Sequence, residues 1–182
     1  MLRITIPSYE LWDEKNERFI YLKAQTLQLE HSLVSLSKWE SKWNKVFLSK
    51  KDKTVEETID YIKCMTITQN VDPDIYNNLS NENFSEINNY INAPMTATYF
   101  SGAGKERRMP SREEVTAELI YYWMIILNIP FECQKWHLNR LFTLINVCNI
   151  KNNPPKKMGM RELYKHYAAV NEANKKRFNI RG

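Results

Sequence analysis

The helical period of residues 111–150 constrains the fold of this chain more than any other feature of its sequence. Ser111 and Glu114 match the capping box that opens helices, in which each side chain accepts a hydrogen bond from the other residue's backbone N–H. Pro130 ends this first helix because its ring removes a backbone donor and disfavours helical geometry at Ile129. Between them, apolar residues recur at steps of three and four, which predicts one wide apolar helix face. That face comprises Val115, Leu119, Tyr122, Trp123, Ile126 and Leu127.

A second helix is predicted after the corner at Pro130, from about Cys133 to Ile150. Its apolar positions again follow the helical period. The connection between the two helices is short, so we expect them to pack against each other. The predicted apolar stripe comprises Leu138, Leu141, Leu144, Ile145 and Cys148.

The composition favours a mainly α protein, a helical bundle. Of its 182 residues, 43% are hydrophobic and 12% are aromatic, which is enough to bury a core. Only four glycines argue against a sandwich or barrel with many tight turns. No apolar run approaches the roughly 18 residues of a membrane span, and the N-terminus lacks the pattern of a signal peptide. We therefore expect a soluble intracellular protein that does not bind membranes.

A small β hairpin is predicted at the N-terminus, within residues 1–23. Leu2, Ile4 and Ile6 alternate with polar residues, which is the period of a half-buried strand. A second extended stretch at 9–12 meets a polar turn at 13–16, and residues 18–22 return as a strand. A two-stranded ribbon is marginal alone, so it should lie on the helices or pair with the edge of another chain.

The remaining helices are predicted from their periods and caps. One runs from Thr26 to about Phe47, and a capping box at Thr54 and Glu57 opens another that continues through Met65. Pro73 after Asp72 predicts a short helix to Leu79. Ser80 begins a further helix, closed by Ala93 and Pro94, and residues 95–110 have no period and are expected to form a loop.

Positive charge is concentrated at the C-terminus. Residues 151–182 carry nine Lys or Arg against two Glu, whereas residues 1–150 carry seventeen basic and nineteen acidic residues. Pro154 and Pro155 forbid a helix where the two parts meet. We therefore expect a body at 1–150, and at 151–182 a basic linker followed by a C-terminal helix over 160–177. Such a tail favours an acidic partner surface or nucleic acid.

No catalytic, metal or cofactor site is predicted from the motifs. The stretch from Ser101 to Lys105 has one residue between its glycines, where a phosphate loop needs four, and Glu106 follows the Lys in place of Ser or Thr. Cys133 and His137 are one helical turn apart, but Cys148 lies about 16 Å from His137 along the same helix, too far to share an ion. The sequence therefore predicts a protein that is not an enzyme.

Nucleic-acid binding remains an alternative, because residues 112–150 have a helix, corner, helix pattern. Polar side chains on the second helix are of types that read base edges or contact phosphates. The corner at residues 128–131 lacks the Gly that is frequent in such motifs. These side chains are Gln134, Lys135, His137, Asn139 and Arg140.

Several stretches resemble the tail assembly chaperones encoded among the tail genes of long-tailed bacteriophages. The resemblance implies a role in morphogenesis, in which the protein binds the tape measure protein in the host cytoplasm and helps to recruit tail tube subunits. A structural component of the virion, in tail or connector, is the alternative from the same gene neighbourhood. The stretches that carry the resemblance are Leu29–Trp43 (LEHSLVSLSKWESKW), Ile62–Pro73 (IKCMTITQNVDP), Ile91–Phe100 (INAPMTATYF) and Thr116–Met158 (TAELIYYWMIILNIPFECQKWHLNRLFTLINVCNIKNNPPKKM).

Partner contacts are predicted from residue chemistry, as large aromatic side chains and tail cations. Trp39 and Trp43 lie one turn apart, a pattern that fits a core pair as well as an exposed anchor. An apolar face of this kind would bind a client helix, and self-association is also expected. The candidate residues are Trp39, Trp43, Trp123, Trp136, Lys156, Lys157, Arg161 and Arg177.

Overall fold

The computed structural model describes residues 1–13, 17–100 and 114–152, together with 164, 167, 168 and 170–172. Within these residues the protein is mainly α, with five α-helices and two 3-10 helices beside a β-ribbon. The chain divides into two compact units, Met1–Cys148 and Asn149–Gly182. The described residues of the second unit beyond Asn152 are helical and exposed.

The N-terminal ribbon is one long hairpin with an interruption. Strands β1 (Leu2–Ile6) and β4 (Gln25–Leu29) pair antiparallel, and so do β2 (Tyr9–Asp13) and β3 (Arg18–Leu22). Ile6 lies opposite Gln25, and the next pair is Tyr9 with Leu22, so two residues are left unpaired on each side without a change of register. Pro7 lies in this interruption, which fits its lack of a backbone donor.

The prediction of a helix from Thr26 was wrong, because residues 25–29 form β4. Leu27 and Leu29 are buried and alternate with more exposed residues, which is the two-residue period of a strand. The outer edge of β4 is also hydrogen-bonded, since the Ile67 N–H donates to the Gln28 carbonyl at 2.8 Å. The predicted hairpin therefore exists but extends to Leu29.

Helix α1 (Leu33–Trp43) lies between two apolar clusters. Ser32 caps it, in a capping box with Ser35. Trp39 packs in a cluster with the inner face of the ribbon, whereas Leu33 and Leu36 pack in a second cluster with the helices that follow residue 116. The helix thus joins the two halves of the core.

The first cluster is completed by elements whose starts match the predictions. Helix α2 (Val55–Met65) has the capping box of Thr54 and Glu57, and Asp72 caps a 3-10 helix at Pro73–Asn78. Helix α3 (Asn81–Asn92) is capped by Ser80. These three starts are confirmed, with the difference that the segment after Asp72 is 3-10 rather than α.

Helix α4 (Ala117–Ile126) begins later than predicted. Its cap is Thr116, whose side chain accepts from the Leu119 N–H at 3.4 Å, and Glu114 precedes the helix. Ser111 lies outside the described residues. The buried Glu40 carboxylate accepts a hydrogen bond from the Ala117 N–H at 2.7 Å, which holds the first turn of α4 against α1.

The second helix of the pair also begins later, at Leu138. Asn128 has a positive φ of 51°, and residues Phe131–Lys135 form a 3-10 helix rather than the first turn of α5 (Leu138–Asn152). His137 pairs with Ser32 in an isolated β-bridge, which interrupts the helical path. The predicted stripe of α5 is confirmed, with Leu138, Leu141 and Ile145 buried and Leu144 and Cys148 partly buried.

Candidate protein-binding surface

Helix α4 presents an apolar face to solvent. Tyr122, Ile125 and Ile126 are exposed, with Ile125 at 60% of its full accessible area, whereas Ile120 and Met124 are completely buried. A helix that is apolar on all sides is normally buried on all sides. The exposed face of α4 is therefore a candidate surface for contact with a protein partner.

Phe131 is a further exposed apolar residue, and it lies beside α4. Its ring lies 6.4 Å from that of Tyr121, and the Tyr121 hydroxyl donates to the Gln134 Oε1 at 2.9 Å, which holds the 3-10 helix against α4. Phe131 is itself 53% exposed. We call Tyr122, Ile125, Ile126 and Phe131 the α4 patch.

Carboxylates flank the α4 patch. Glu118 is the one charged residue of α4, and Glu132 follows Phe131 directly; both are exposed. Glu118 lies one helical turn before Tyr122, on the same face of α4, which places its carboxylate next to the patch. In the described parts of the chain neither carboxylate is in an ion pair.

An open groove of about 740 Å³ lies on another side of α4. Trp123 and Phe142 line it, together with Leu48 of the loop after α1. Lys50 and Glu114 lie at its polar rim, so the groove does not favour a ligand of one charge. The groove can accept a bulky apolar side chain.

The tip of the ribbon carries a second set of exposed aromatic residues. Trp12 and Phe19 are cross-strand partners whose rings meet edge to face with 4.9 Å between centroids, and Phe19 is 69% exposed. Tyr21 lies on the same side of the ribbon by strand alternation. We call these three residues the hairpin tip.

Trp39 and Trp43, two of the candidate contacts, take part in internal contacts. Trp39 is 1% exposed and its indole N–H donates to the Glu57 carbonyl at 2.8 Å, so it stabilises the body and offers no surface to a partner. Trp43 is partly buried, and its indole N–H donates to the Asp60 carboxylate at 3.0 Å. Trp39 is therefore a core residue, and Trp43 belongs to the core only in part.

The other candidate contacts lie in different places. Trp123 is partly buried in the groove beside α4, and Trp136 is partly buried with the Arg140 guanidinium 4.2 Å from its ring. The four cations of the tail lie outside the described residues: Lys156, Lys157, Arg161 and Arg177. The four described candidates, all tryptophans, thus do not form a single exposed site.

Sequence reasoning missed the α4 patch because it placed Tyr122 and Ile126 on the buried face. Apolar residues occupy nearly every position of α4, so the helical period cannot select a face. The lone charge does select one, since Glu118 points to solvent and Tyr122 and Ile125 follow it at steps of four and seven. Glu118 is therefore the sequence feature from which the exposed face of α4 could have been predicted.

Most of the side chains proposed to read DNA are used inside the protein. The buried His137 donates from Nε2 to the Tyr90 carbonyl at 3.0 Å, and the Asn139 amide donates to the Ile91 and Ala93 carbonyls at 3.0 and 2.8 Å. Gln134 accepts from Tyr121, and Arg140 stacks on Trp136. A recognition helix needs these groups free at its surface.

A buried polar cluster lies where the two apolar clusters meet. The His31 Nδ1 is 2.6 Å from the Tyr61 hydroxyl. Burial, and to a smaller extent His137, lower the pKa of His31 to about 4. Burial also lowers the pKa of His137, against the opposing effect of its bond to the Tyr90 carbonyl. Both imidazoles are therefore neutral at pH 7 and serve as hydrogen-bonding groups of the core.

Two further findings concern sites of other kinds. Among the described residues, no group of three or more His, Cys, Asp or Glu side chains is arranged to hold a metal ion, and Ser101–Lys105 lie outside them. No helix in the described part of the chain has the length and apolar character needed to cross a membrane.

Comparison with known proteins finds no match: no family model, no curated protein and no solved structure is significantly similar to this chain.

Proposed function

We propose that this protein is a non-enzymatic assembly factor of tailed bacteriophages, a chaperone that binds the tape measure protein and helps to recruit tail tube subunits. The α4 patch carries the proposal, because contiguous exposed apolar residues on a soluble domain mark a site of protein interaction. The sequence resemblance to tail assembly chaperones supplies the identity of the client. The action takes place in the host cytoplasm.

The hairpin tip supports the same proposal. Its aromatic residues project from a ribbon whose base is anchored in the core by Ile4 and Leu27, so a rigid support presents an apolar end. Aromatic side chains are the commonest anchors of protein interfaces. For the whole protein we propose a helical bundle with this β hairpin and a basic C-terminal helical tail.

Capture of the client tests this proposal directly. The full-length chain is co-expressed with the tape measure and tail tube proteins of its phage and purified through an affinity tag. Ile125→Asp introduces a charge into the α4 patch and is expected to reduce the captured tape measure protein at least tenfold. Val55→Asp is the matched control, because Val55 is an aliphatic residue on α2 that is at least as exposed as Ile125.

Two results would contradict the proposal. The first is that the captured material contains no tape measure protein. The other is an equal loss of capture by both variants, which would show that the α4 patch is not the site. Mass spectrometry of purified particles separates a chaperone from a virion component, since only the latter stays in the particle.

The charge of the C-terminal segment favours nucleic-acid binding as a second candidate function. Nine basic residues against two acidic ones in residues 151–182 would neutralise phosphates and release counterions. Affinity for duplex DNA would then fall steeply between about 50 and 200 mM salt. An affinity that does not change with salt would remove this candidate.

A further inference from the structure

We propose that the α4 patch binds a cationic amphipathic helix of the client, an inference that rests on the function proposed above. The patch offers apolar contact area next to two exposed carboxylates, Glu118 one helical turn before Tyr122 and Glu132 directly after Phe131 in the chain. A partner with an apolar stripe and flanking Lys or Arg would satisfy both features.

The geometry of the patch suits a helix. Tyr122 and Ile126 lie one turn apart on α4, with Ile125 between them, so they form a ridge along the helix axis. The ten residues of α4 span about 15 Å, which is enough for a partner helix of three or four turns to pack along or across it. Phe131 lies beside the contact area, with its ring against Tyr121 in the middle of α4.

Among the residues that the structure describes, the carboxylates Glu118 and Glu132 lie close to the patch along the chain. Lys135 lies on the same 3-10 helix as Glu132, but it lines a different pocket with Val34 and Cys64. Arg140 is stacked on Trp136. Within the described residues, neither Lys135 nor Arg140 pairs with Glu118 or Glu132, so these carboxylates can accept basic groups of a partner.

The charges of Glu118 and Glu132 also argue against two other partners of the α4 patch, a second copy of the chain and a lipid surface. A symmetric contact between two copies of the α4 patch would bring Glu118 and Glu132 towards the same carboxylates of the second copy, which is unfavourable. An anionic lipid surface would be repelled in the same way. A basic helix is the partner that the charges favour.

Two designed peptides test the inference on the full-length protein. Both have about 18 residues and the same leucine stripe at helical spacing; one has Lys beside the stripe and the other has Glu. Fluorescence anisotropy with each labelled peptide at low salt is expected to show about tenfold tighter binding of the Lys peptide. The preference should shrink as salt is added.

Variants of the protein locate the site. Glu118→Lys combined with Glu132→Lys is expected to reverse the preference, so that the Glu peptide binds more tightly. Ile125→Asp should abolish the binding of both peptides. The control combines Glu10→Lys with Glu86→Lys, two exposed carboxylates on β2 and α3, and should keep the original preference. Circular dichroism melts confirm that each variant is folded.

Several outcomes would overturn the inference. They are equal binding of the two peptides, binding of neither, and a preference that the reversal of Glu118 and Glu132 leaves unchanged. Self-association that Ile125→Asp removes would identify a second copy as the occupant instead. Capture of tape measure protein without a charge preference would reject this inference alone, whereas a charge preference without capture would reject the proposed function.

Discussion

The imidazole ring of His31 lies edge to face with that of His137, with 5.1 Å between the ring centroids. The two residues come from chain segments more than a hundred residues apart, and the Leu138 N–H donates to the His31 carbonyl at 2.7 Å beside them. Tyr61, Tyr90 and Glu30 are further titratable groups of this cluster, and the N-terminal ammonium lies 3.0 Å from the Glu30 carboxylate. The contact joins the ribbon and α2 to the start of α5.

Acid is expected to destabilise the fold through this pair. The pKa of His31 is about 4 in the folded protein, against 6.5 for the free side chain. Between these values the unfolded chain binds the proton more readily, so the free energy of unfolding falls as the pH is lowered from 6.5 towards 4. Protonation of His31 is expected to lower the free energy of unfolding by roughly 3 kcal/mol in total, and this stability is fully present above pH 6.5.

Denaturant titrations across this pH range measure the effect. His31→Phe removes the titrating group, so the dependence of stability on pH between 4 and 6.5 should become shallower than in the unmodified chain. The lowered pKa of His137 leaves a smaller dependence in the same direction. An unchanged slope in the variant would show that His31 does not cause the acid sensitivity.

The buried carboxylate of Glu40 is expected to be essential for the position of α4. It accepts hydrogen bonds from the Ala117 and Phe47 N–H groups at 2.7 and 2.8 Å. Glu40→Ala leaves two backbone donors without partners and should lower the free energy of unfolding by about 3 kcal/mol. Chemical denaturation provides the measurement, with Glu56→Ala, an exposed carboxylate on α2, as the control.

Because of the orientation of α4, we expect Ile120 and Ile126 to differ in their effect on stability. Ile120 is completely buried, whereas Ile126 is 57% exposed. Ile120→Ala should destabilise the protein by about 2–5 kcal/mol, while Ile126→Ala should change stability by less than about 0.5 kcal/mol. Thermal or denaturant unfolding distinguishes them. Equal losses would mean that α4 is rotated or covered within the same molecule.

The Trp12–Phe19 pair is expected to hold the end of the ribbon without supporting the body. A contact of this kind contributes about 0.5–1.5 kcal/mol to the local structure. Phe19→Ala should therefore increase amide hydrogen exchange in β2 and β3 and leave that of α1 and α2 nearly unchanged. A loss of protection throughout the body would contradict the separation between the hairpin tip and the core.

The sequence by itself determined the features that depend on residues close together in the chain. The capping box at Thr54 and the helix starts at Asp72 and Ser80 could be predicted, because a cap and its partner lie within four residues. The apolar stripe of α5 was readable because polar residues alternate with it. The basic C-terminal segment was likewise evident from composition alone.

Tertiary structure decided what depends on distant partners. Residues 25–29 have apolar spacing that suits a helix or a strand, and pairing with β1 about twenty residues earlier makes them β4. Helix α4 is apolar on nearly every side, so its sequence could not say which side is buried. Contacts with α1 and α5 bury Ile120 and leave Ile125 in solvent, because each helix can cover only one part of its neighbour's surface.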